Sequence, residues 1–425
     1  MIRTKLGELI AVTRGASLPG ENYATSGSLI RLTLGNFDMA GGWKENTSKD
    51  NIYYSGDVRP EFILKKGDLI TPLTEQTPGL LGTVARIPES DRYIQSQDVG
   101  LIKCKPEKLD PSFAYYLISS KLVRDQLGAA AQQTKIRHTS PEKIKDCVVF
   151  VPDIEDQRKI GAFLDNYTNK IENNKKQIAV LESLAKTLYD YWFLQFDFPD
   201  ENGKPYKSSG GKMAWNDMLG REIPEGWEVR PISDAITHMN TGLNPRDNFK
   251  LGNGKIRYLT VKNIGVGGTV DFSGCDVIDE RARALVHKRS QVAKGDILFA
   301  SIAPLGRCFI VEEDPADWDI NESVFSIRPN YQLISTNFLY MYFMSPYFIK
   351  KAELSSTGSI FAGIRMSTFQ QMQMLIPPKC VLDNFDKIID PIYKDKYGLW
   401  KQNQTLKDEM NFLLPVLLNG QVKLE

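Results

Sequence analysis

The chain has 425 residues, of which 42% are hydrophobic, 25% are charged and 10% are aromatic. A chain of this length is too long for one ordinary core, so two or three folded domains are expected, and the composition excludes a disordered or fibrous protein. The 53 basic residues nearly balance the 52 acidic ones, which gives a formal net charge of +1. A globally basic nucleic-acid binder is therefore excluded, and any contact with nucleic acid must use local patches or partner proteins.

The first residues lack the apolar segment of a secretory signal, and no apolar run approaches the roughly 20 residues that cross a bilayer. We therefore expect a cytoplasmic protein. The cysteines are widely scattered and form no CxxC pair, which predicts neither a disulfide framework nor a metal site. They are Cys104, Cys147, Cys275, Cys308 and Cys380.

A long tandem repeat organises the sequence. Four short segments recur in the same order, each 225 to 228 residues further along. A period this long indicates duplication of a whole domain rather than a solenoid. Each copy begins with short strand-like runs, and a short helix follows near residues 111–127 and 335–354. The matching segments are 31–36 with 258–263, 64–70 with 292–298, 113–117 with 338–342, and 148–152 with 374–378.

After each copy the pattern becomes helical, with apolar residues at alternating spacings of four and three. The two stripes are in the same phase, since each position in the second is its counterpart plus 225. Polar residues interrupt the stripes at Asn174, Lys396 and Asn403. The first stripe contains Ile160, Leu164, Tyr167, Ile171, Ile178, Leu181, Leu188 and Trp192, and the second contains Phe385, Ile389, Ile392, Leu399, Leu406, Met410, Leu413 and Leu417.

A long helix that exposes such a stripe is unstable alone, so each helix needs a partner. The simplest prediction is an α+β protein in which two tandem β-rich domains are each followed by a long helix. The helices would then pack as an antiparallel coiled coil with internal pseudo-two-fold symmetry. The alternative is that each helix packs on its own domain. Pro391 predicts a kink or a new helix start. The predicted segments are 1–152 (first domain), 153–196 (central helix), 197–222 (connector), 223–378 (second domain) and 379–425 (C-terminal helix).

Searches for catalytic motifs find none. The sequence has no P-loop, and the glycine cluster at residues 265–268 is better explained as a turn. Asp153, Glu155 and Asp156 fall where acidic residues favour a helix start. The histidines have no metal-binding spacing. We therefore predict no catalytic residue in this chain.

Several phrases resemble the specificity subunits of type I restriction-modification enzymes. They are Val151-Pro152 followed by residues 155–160 at the helix entry, residues 191–199 after the first helix, residues 223–227 before the second domain, and residues 413–420 in the closing helix. The resemblance covers essentially the whole chain. The second copy departs from it, because no Glu-Gln-Arg-like run follows Pro378.

The resemblance implies a division of labour. Each domain would be a target-recognition domain that reads one half of a split, asymmetric DNA target in the major groove, and the helices would set the gap between the halves. Two methyltransferase subunits would bring S-adenosylmethionine and flip the target adenine, and motor–nuclease subunits would use ATP. This chain would be non-catalytic and would bind no cofactor. Two alternatives remain open: a duplicated structural adaptor that reads no sequence, and a degenerate methyltransferase–nuclease fusion.

Candidate DNA contacts lie mainly in a polar stretch that precedes the last strand of each copy. Gln, Asn, Arg and Lys can form paired hydrogen bonds with base edges, while Ser and Thr suit phosphates. The alternative for each is ordinary loop polarity. The candidates are Asn36, Gln76, Gln132, Gln133, Thr134, Lys135, Arg137, Lys262, Asn263, Thr357, Ser359 and Arg365.

Overall fold

The chain forms two compact units. The computed structural model describes residues 1–39, 41–46, 50–130, 137–356, 363–422 and 424. One unit comprises Met1–Glu172 with Gln404–Glu425, and the other comprises Asn173–Asn403. Each unit holds one copy of the repeat and a part of each long helix. This division differs from the predicted segmentation, in which the long helices are segments of their own.

The first unit is built around two four-stranded sheets, with strand orders β2-β10-β6-β8 and β3-β5-β4-β9. Two smaller pairings, β1 with β12 and β7 with β11, complete it. Its elements are β1 (Ile2–Lys5), β2 (Ile10–Arg14), β3 (Tyr23–Ala24), β4 (Ile30–Arg31), β5 (Tyr53–Tyr54), β6 (Leu69–Pro72), β7 (Thr74–Glu75), β8 (Ala85–Arg86), β9 (Tyr93–Ile94), β10 (Val99–Cys104), α1 (Pro111–Ser119), α2 (Lys121–Ala130), β11 (Arg137–His138), α3 (Pro141–Asp146), β12 (Val148–Val151) and the long helix α4 (Ile154–Tyr189).

The second unit repeats this topology. Its four-stranded sheet has the order β16-β22-β19-β20, and each strand occupies the place of its counterpart in β2-β10-β6-β8. The parallel pairing of β17 with β21 repeats that of β4 with β9. The elements are β13 (Met213–Asn216), β14 (Arg221–Pro224), β15 (Glu228–Pro231), α5 (Ile232–Ala235), β16 (Ile236–Thr241), β17 (Ile256–Leu259), β18 (Asp276–Ile278), α6 (Glu280–Ser290), β19 (Ile297–Ala300), β20 (Cys308–Ile310), β21 (Trp318–Ile320), β22 (Val324–Pro329), α7 (Thr336–Met344), α8 (Pro346–Leu354), α9 (Met366–Gln371), β23 (Gln373–Ile376) and the long helix α10 (Lys379–Leu418).

The Lys-Gly-Asp turn before β6 and β19 shows why the repeat is recognisable in sequence. Gly67 and Gly295 have φ of 86° and 87°, a conformation that glycine adopts without steric cost. The following Asp68 and Asp296 each accept a backbone N–H at 2.9 Å from three residues earlier. The same turn therefore accounts for Gly-Asp at this position in both copies.

Each predicted short helix is in fact two helices. Ser120 separates α1 from α2, and Ser345 separates α7 from α8. The Ser120 hydroxyl donates to the Leu117 carbonyl at 2.6 Å, and the Ser345 hydroxyl donates to the Tyr342 carbonyl at 2.7 Å. Serine side chains compete with the helical backbone in this way, so the sequence carries a break that an apolar pattern does not reveal.

The long helices are continuous. α10 runs through Pro391, which is exposed, so the expected new helix start at this proline is wrong. α4 is followed by a π-helical turn over Asp190–Leu194.

Every residue of both predicted stripes is at least partly buried. In the first unit, Ile160 and Leu164 share a core with Leu417 at the far end of α10. In the second unit, the rings of Trp192 and Phe385 lie 5.3 Å apart. Each helix also packs on its own domain, as in the alternative arrangement, and the antiparallel coiled coil stays a prediction.

The polar residues within the stripes are buried and pair with other polar side chains. Asn174 is fully buried, and its amide nitrogen donates to Asn403 Oδ1 at 2.9 Å and to Gln402 Oε1 at 2.8 Å. Lys396, which is 6% exposed, contacts the Glu182 carboxylate at 3.0 Å. Burial lowers the pKa of Lys396, and the neighbouring Glu182 carboxylate opposes that shift.

Each domain also docks on its long helix through equivalent hydrogen bonds. Ser112 on α1 donates to Asp165 at 2.7 Å, and its counterpart Asn337 on α7 donates to Asp390 at 2.5 Å. Asp386 is close to the start of α7, and burial raises its pKa to about 6, against a hydrogen bond from Ser335 that lowers it.

The connector after α4 is folded rather than loose. Asp197 accepts the backbone N–H and the hydroxyl of Ser208 at 2.7 and 2.6 Å, and these bonds lower its pKa. The Phe198 ring stacks on Tyr206 and Trp227 at 4.7 and 5.1 Å. The hairpin of β13 and β14 follows, so this segment extends the core of the second unit.

Replacing Asn174 with Ala is expected to lower the free energy of unfolding by about 1–3 kcal/mol, because the buried Asn403 amide oxygen loses its donor. Replacing both Asn174 and Asn403 with Leu should recover most of this loss, since an apolar pair suits the stripe. Chemical denaturation of the full chain measures both effects. A double variant that is less stable than the single one would contradict this explanation.

Replacing Asp386 with Asn should stabilise the protein in a pH-dependent way. A carboxyl whose pKa rises from 3.8 to about 6 on folding makes the wild type less stable as pH rises through that window. The variant should therefore match the wild type near pH 4 and exceed it by about 1–2 kcal/mol above pH 7. Denaturation midpoints across this range test it, with the exposed Asp383→Asn as control. A difference that is constant with pH would rule out the titration of Asp386.

Candidate nucleic-acid interface

Half of the residues predicted to contact DNA lie within the part of the chain that the structure describes. Gln132, Gln133, Thr134, Lys135, Thr357 and Ser359 lie outside the described residues. The remaining candidates are Asn36, Gln76, Arg137, Lys262, Asn263 and Arg365.

Asn36 and Asn263 have the same structural role in the two copies. Asn36 is 2% exposed and accepts the Thr33 backbone N–H at 2.9 Å, and Asn263 is 8% exposed and accepts the Thr260 backbone N–H at 2.9 Å. Both amide nitrogens donate to a backbone carbonyl eight residues further on. Their hydrogen-bonding groups therefore hold a turn inside each domain, and their contact with DNA stays a prediction without support from this geometry.

Gln76 and Arg137 are brought together in the first unit. In the pairing of β7 with β11, Arg137 lies opposite Glu75, the neighbour of Gln76. The Arg137 guanidinium contacts the buried Glu75 carboxylate at 2.9 Å and donates to the Gly128 carbonyl at 2.5 Å. Residues 76–79 are exposed. A polar loop and a partly buried arginine thus lie side by side in the first unit.

A shallow groove lies beside this loop and carries three cationic side chains, from Lys121, Arg124 and Arg137, with the acidic Glu75 and Asp125. Arg124 donates to the carbonyls of Met39 and Gly79, and it therefore ties two loops to α2. Lys121 pairs with Asp125 on the helix surface. Arg137 pairs with Glu75, so the charged side chains that line the groove leave an excess of one positive charge.

The second unit places its candidates on two loops. Lys262 is exposed in the turn that Asn263 holds, and Arg365 is exposed at the start of α9. The Ile364 backbone N–H, next to Arg365, donates to Ser301 at 2.9 Å, and Gly363 bridges to Ile302. This tether has the same place in the fold as the pairing of β7 with β11.

Sequence reasoning missed Glu75 and Arg124. A carboxylate at the end of an apolar strand gives no periodic signal, and its burial is visible only in three dimensions. The nearby Gly79, with φ of 108°, was the available sign of a closed loop.

Within the described ranges, no three His, Cys, Asp or Glu side chains are grouped so that they could hold a metal ion. Over the same ranges, no helix has the length and apolar character needed to cross a bilayer.

The fold is that of a duplicated β-rich domain with long helices, and comparison with known proteins identifies its family. The model of the type I restriction modification DNA specificity domain matches residues 4–183 and 224–395. The chain belongs to this family.

Curated relatives agree. The chain is 26% identical over 314 residues to the type I restriction enzyme MjaIX specificity subunit of Methanocaldococcus jannaschii, covering 74% of this chain and 69% of that protein. It is 26% identical over 308 residues to the EcoBI specificity subunit of Escherichia coli, covering 71% and 61%. It is 22% identical over 413 residues to the HindI specificity subunit of Haemophilus influenzae, covering 84% and 87%.

One solved structure supports the fold. The S subunit of the type I restriction-modification system from M. genitalium superposes with a TM-score of 0.56 over 98% of this chain and 96% of that chain, at 16% identity.

Replacing Asn36 or Asn263 with Ala should lower the free energy of unfolding by about 1–2 kcal/mol, because each change removes the side-chain partner of two part-buried backbone groups. Replacing the exposed Lys262 with Ala should change it by less than about 0.5 kcal/mol. Denaturation curves of the three variants compare them directly. If Asn36→Ala is as stable as the wild type, Asn36 does not stabilise the turn.

Proposed function

We propose that this chain is the non-catalytic DNA-reading subunit of a type I restriction-modification complex, with each recognition domain reading one half of a bipartite, asymmetric target. The observation that carries this proposal is the duplication: the specificity-domain model matches both copies, and both copies share strand order, turns and loop tethers. Two similar frames with different loops suit the reading of two different half-targets.

In this proposal the long helices form an antiparallel coiled coil that sets the gap between the half-targets. Within the second unit, Trp192 meets Phe385 and Asn174 meets Asn403, so residue numbers fall on one helix as they rise on the other. Within the first unit, Ile160 shares a core with Leu417, which continues the same progression. Together with the constant offset of 225 between the stripes, these pairs support a pseudo-two-fold arrangement.

The proposed partners are two methyltransferase subunits and motor–nuclease subunits, which would bring S-adenosylmethionine and ATP, while this chain binds neither. Val180 and Leu184 support a protein partner on α4, since their side chains are 67% and 46% exposed one helical turn apart. Exposed apolar side chains in this arrangement are typical of a protein-binding surface.

Among the described candidates, we propose Gln76, Lys262 and Arg365 as DNA contacts, because their side chains are exposed. Arg137, which is partly buried and pairs with the neighbour of Gln76, is also proposed as a contact. The candidates outside the described residues are kept in the proposal on their residue types alone.

Mapping of methylated adenines tests the proposal. The full chain is expressed with the methyltransferase subunit of its own system in a host without adenine methylation, and long-read sequencing locates the modified bases. We expect one motif with two fixed halves and a gap of fixed length. The methyltransferase subunit alone is the control and should give no motif.

Two results would contradict the proposal. Methylation that is independent of this chain, together with equal binding of the complex to all duplexes, would favour a structural adaptor. Stoichiometric binding of S-adenosylmethionine to the isolated chain, measured by calorimetry, would favour a degenerate enzyme.

A further inference from the structure

We propose that Glu75 is a positioning residue for sequence discrimination by the first domain, in which it holds the loop of residues 76–79 in its reading conformation. The inference rests on the proposed function, because it assigns to one buried carboxylate the fidelity of one half of the target. Nothing in the family assignment designates this residue.

The Glu75 carboxylate is the centre of the loop. It is 1% exposed, and its Oε2 atom accepts the backbone N–H groups of Gly79, Leu80 and Leu81 at 2.9, 2.7 and 3.0 Å. Three N–H groups on one carboxylate oxygen form a concave anion-binding turn, of the type that proteins otherwise use for phosphates. Here the chain supplies its own anion, and the turn closes around it.

The exposed part of the loop is thereby held at both ends. Gln76 follows Glu75 directly. Gly79 donates its backbone N–H to Glu75, and its carbonyl oxygen accepts a hydrogen bond from the Arg124 guanidinium. The four residues between strand and turn are exposed, and they include Gln76, which suits an adenine edge. The backbone of the loop is therefore fixed, while its side chains face outward.

The second oxygen of Glu75 links the loop to the other candidate segment. Arg137 NH1 lies 2.9 Å from Oε1, and Arg137 is the first residue of β11. One carboxylate thus sets the position of Gln76 on one side and of Arg137 on the other. The cationic groove of Lys121, Arg124 and Arg137 adjoins both.

Stability alone gives a weak reason for this arrangement. A buried ion pair is often no more stabilising than apolar side chains of similar size, whereas it can fix one conformation among several. The second domain keeps the tether between Ile302 and Gly363 but has Ala303 at the position equivalent to Glu75. The carboxylate is therefore not required by the shared fold, and it belongs to the first domain's own loop.

The test compares discrimination at the two half-targets. The full chain in complex with its methyltransferase subunits is assayed for methylation rate on duplexes that carry single base-pair changes in either half. In Glu75→Gln we expect discrimination at one or more base pairs of the first half to fall about tenfold, while the second half changes less than about twofold. A general loss of stability would affect both halves together.

Three further variants sharpen the test. Asp296→Asn removes a carboxylate that is fully buried beside Arg328 in the second domain, and it should leave the first half unchanged. The double variant Glu75→Leu, Arg137→Leu removes both charges together with the acceptor of the three N–H groups, and it should not recover discrimination. Gln76→Ala removes an exposed side chain without disturbing the fold, and it should weaken the first half alone.

Each outcome is decisive. If Glu75→Gln fails to fold, the Gln76→Ala variant provides the test. Loss of discrimination at the first half-target alone supports a reading role for the loop, and unchanged discrimination overturns it. Full recovery in the double variant would show that Glu75 only neutralises Arg137. A wild-type complex that prefers no duplex would refute the proposed function. A selective wild-type complex, with Glu75→Gln and Gln76→Ala variants that discriminate equally well, would refute this inference alone.

Discussion

The fold depends on one constraint: the apolar stripe of each long helix must be covered along its whole length. α4 and α10 are 36 and 40 residues long. A helix that exposes a narrow apolar stripe to water is unstable without a packing partner. In each unit the stripe of one helix meets the stripe of the other and the core of the attached domain. Asn174 and Asn403 interrupt the stripe where they pair with each other, and a paired polar position disfavours a shifted register.

The same duplication that supplies both helices also supplies two frames for recognition. Three pairs of residues have equivalent structural roles in the two copies. They are Gly67 and Gly295, Ser120 and Ser345, and Asp165 and Asp390. These positions are fixed by backbone geometry or by docking, so they leave the outward loops free to differ. Glu75 belongs to the part that differs, which agrees with two domains that read unlike half-targets.

The sequence predicted those features that depend on periodicity and duplication. The stripe residues are all at least partly buried, and the tandem domains and the family are confirmed. The expected new helix start at Pro391 was wrong, because one missing N–H on an exposed face does not end a helix that is packed on its other side. Asn36 and Asn263 were chosen for residue type, and they are buried in turns. Glu75 was missed, because the three N–H groups that explain a buried carboxylate come together only in the folded loop.

In the proposed function, the helix pair sets the distance between two half-targets that are read separately. The most direct test of this role inserts one heptad at matching positions in both α4 and α10, and maps methylated adenines in cells. Seven residues lengthen a helix by about 10.5 Å, roughly three base pairs. We expect the same two half-sequences with a gap about three base pairs longer. An unchanged gap, or altered half-sequences at the original gap, would contradict the account.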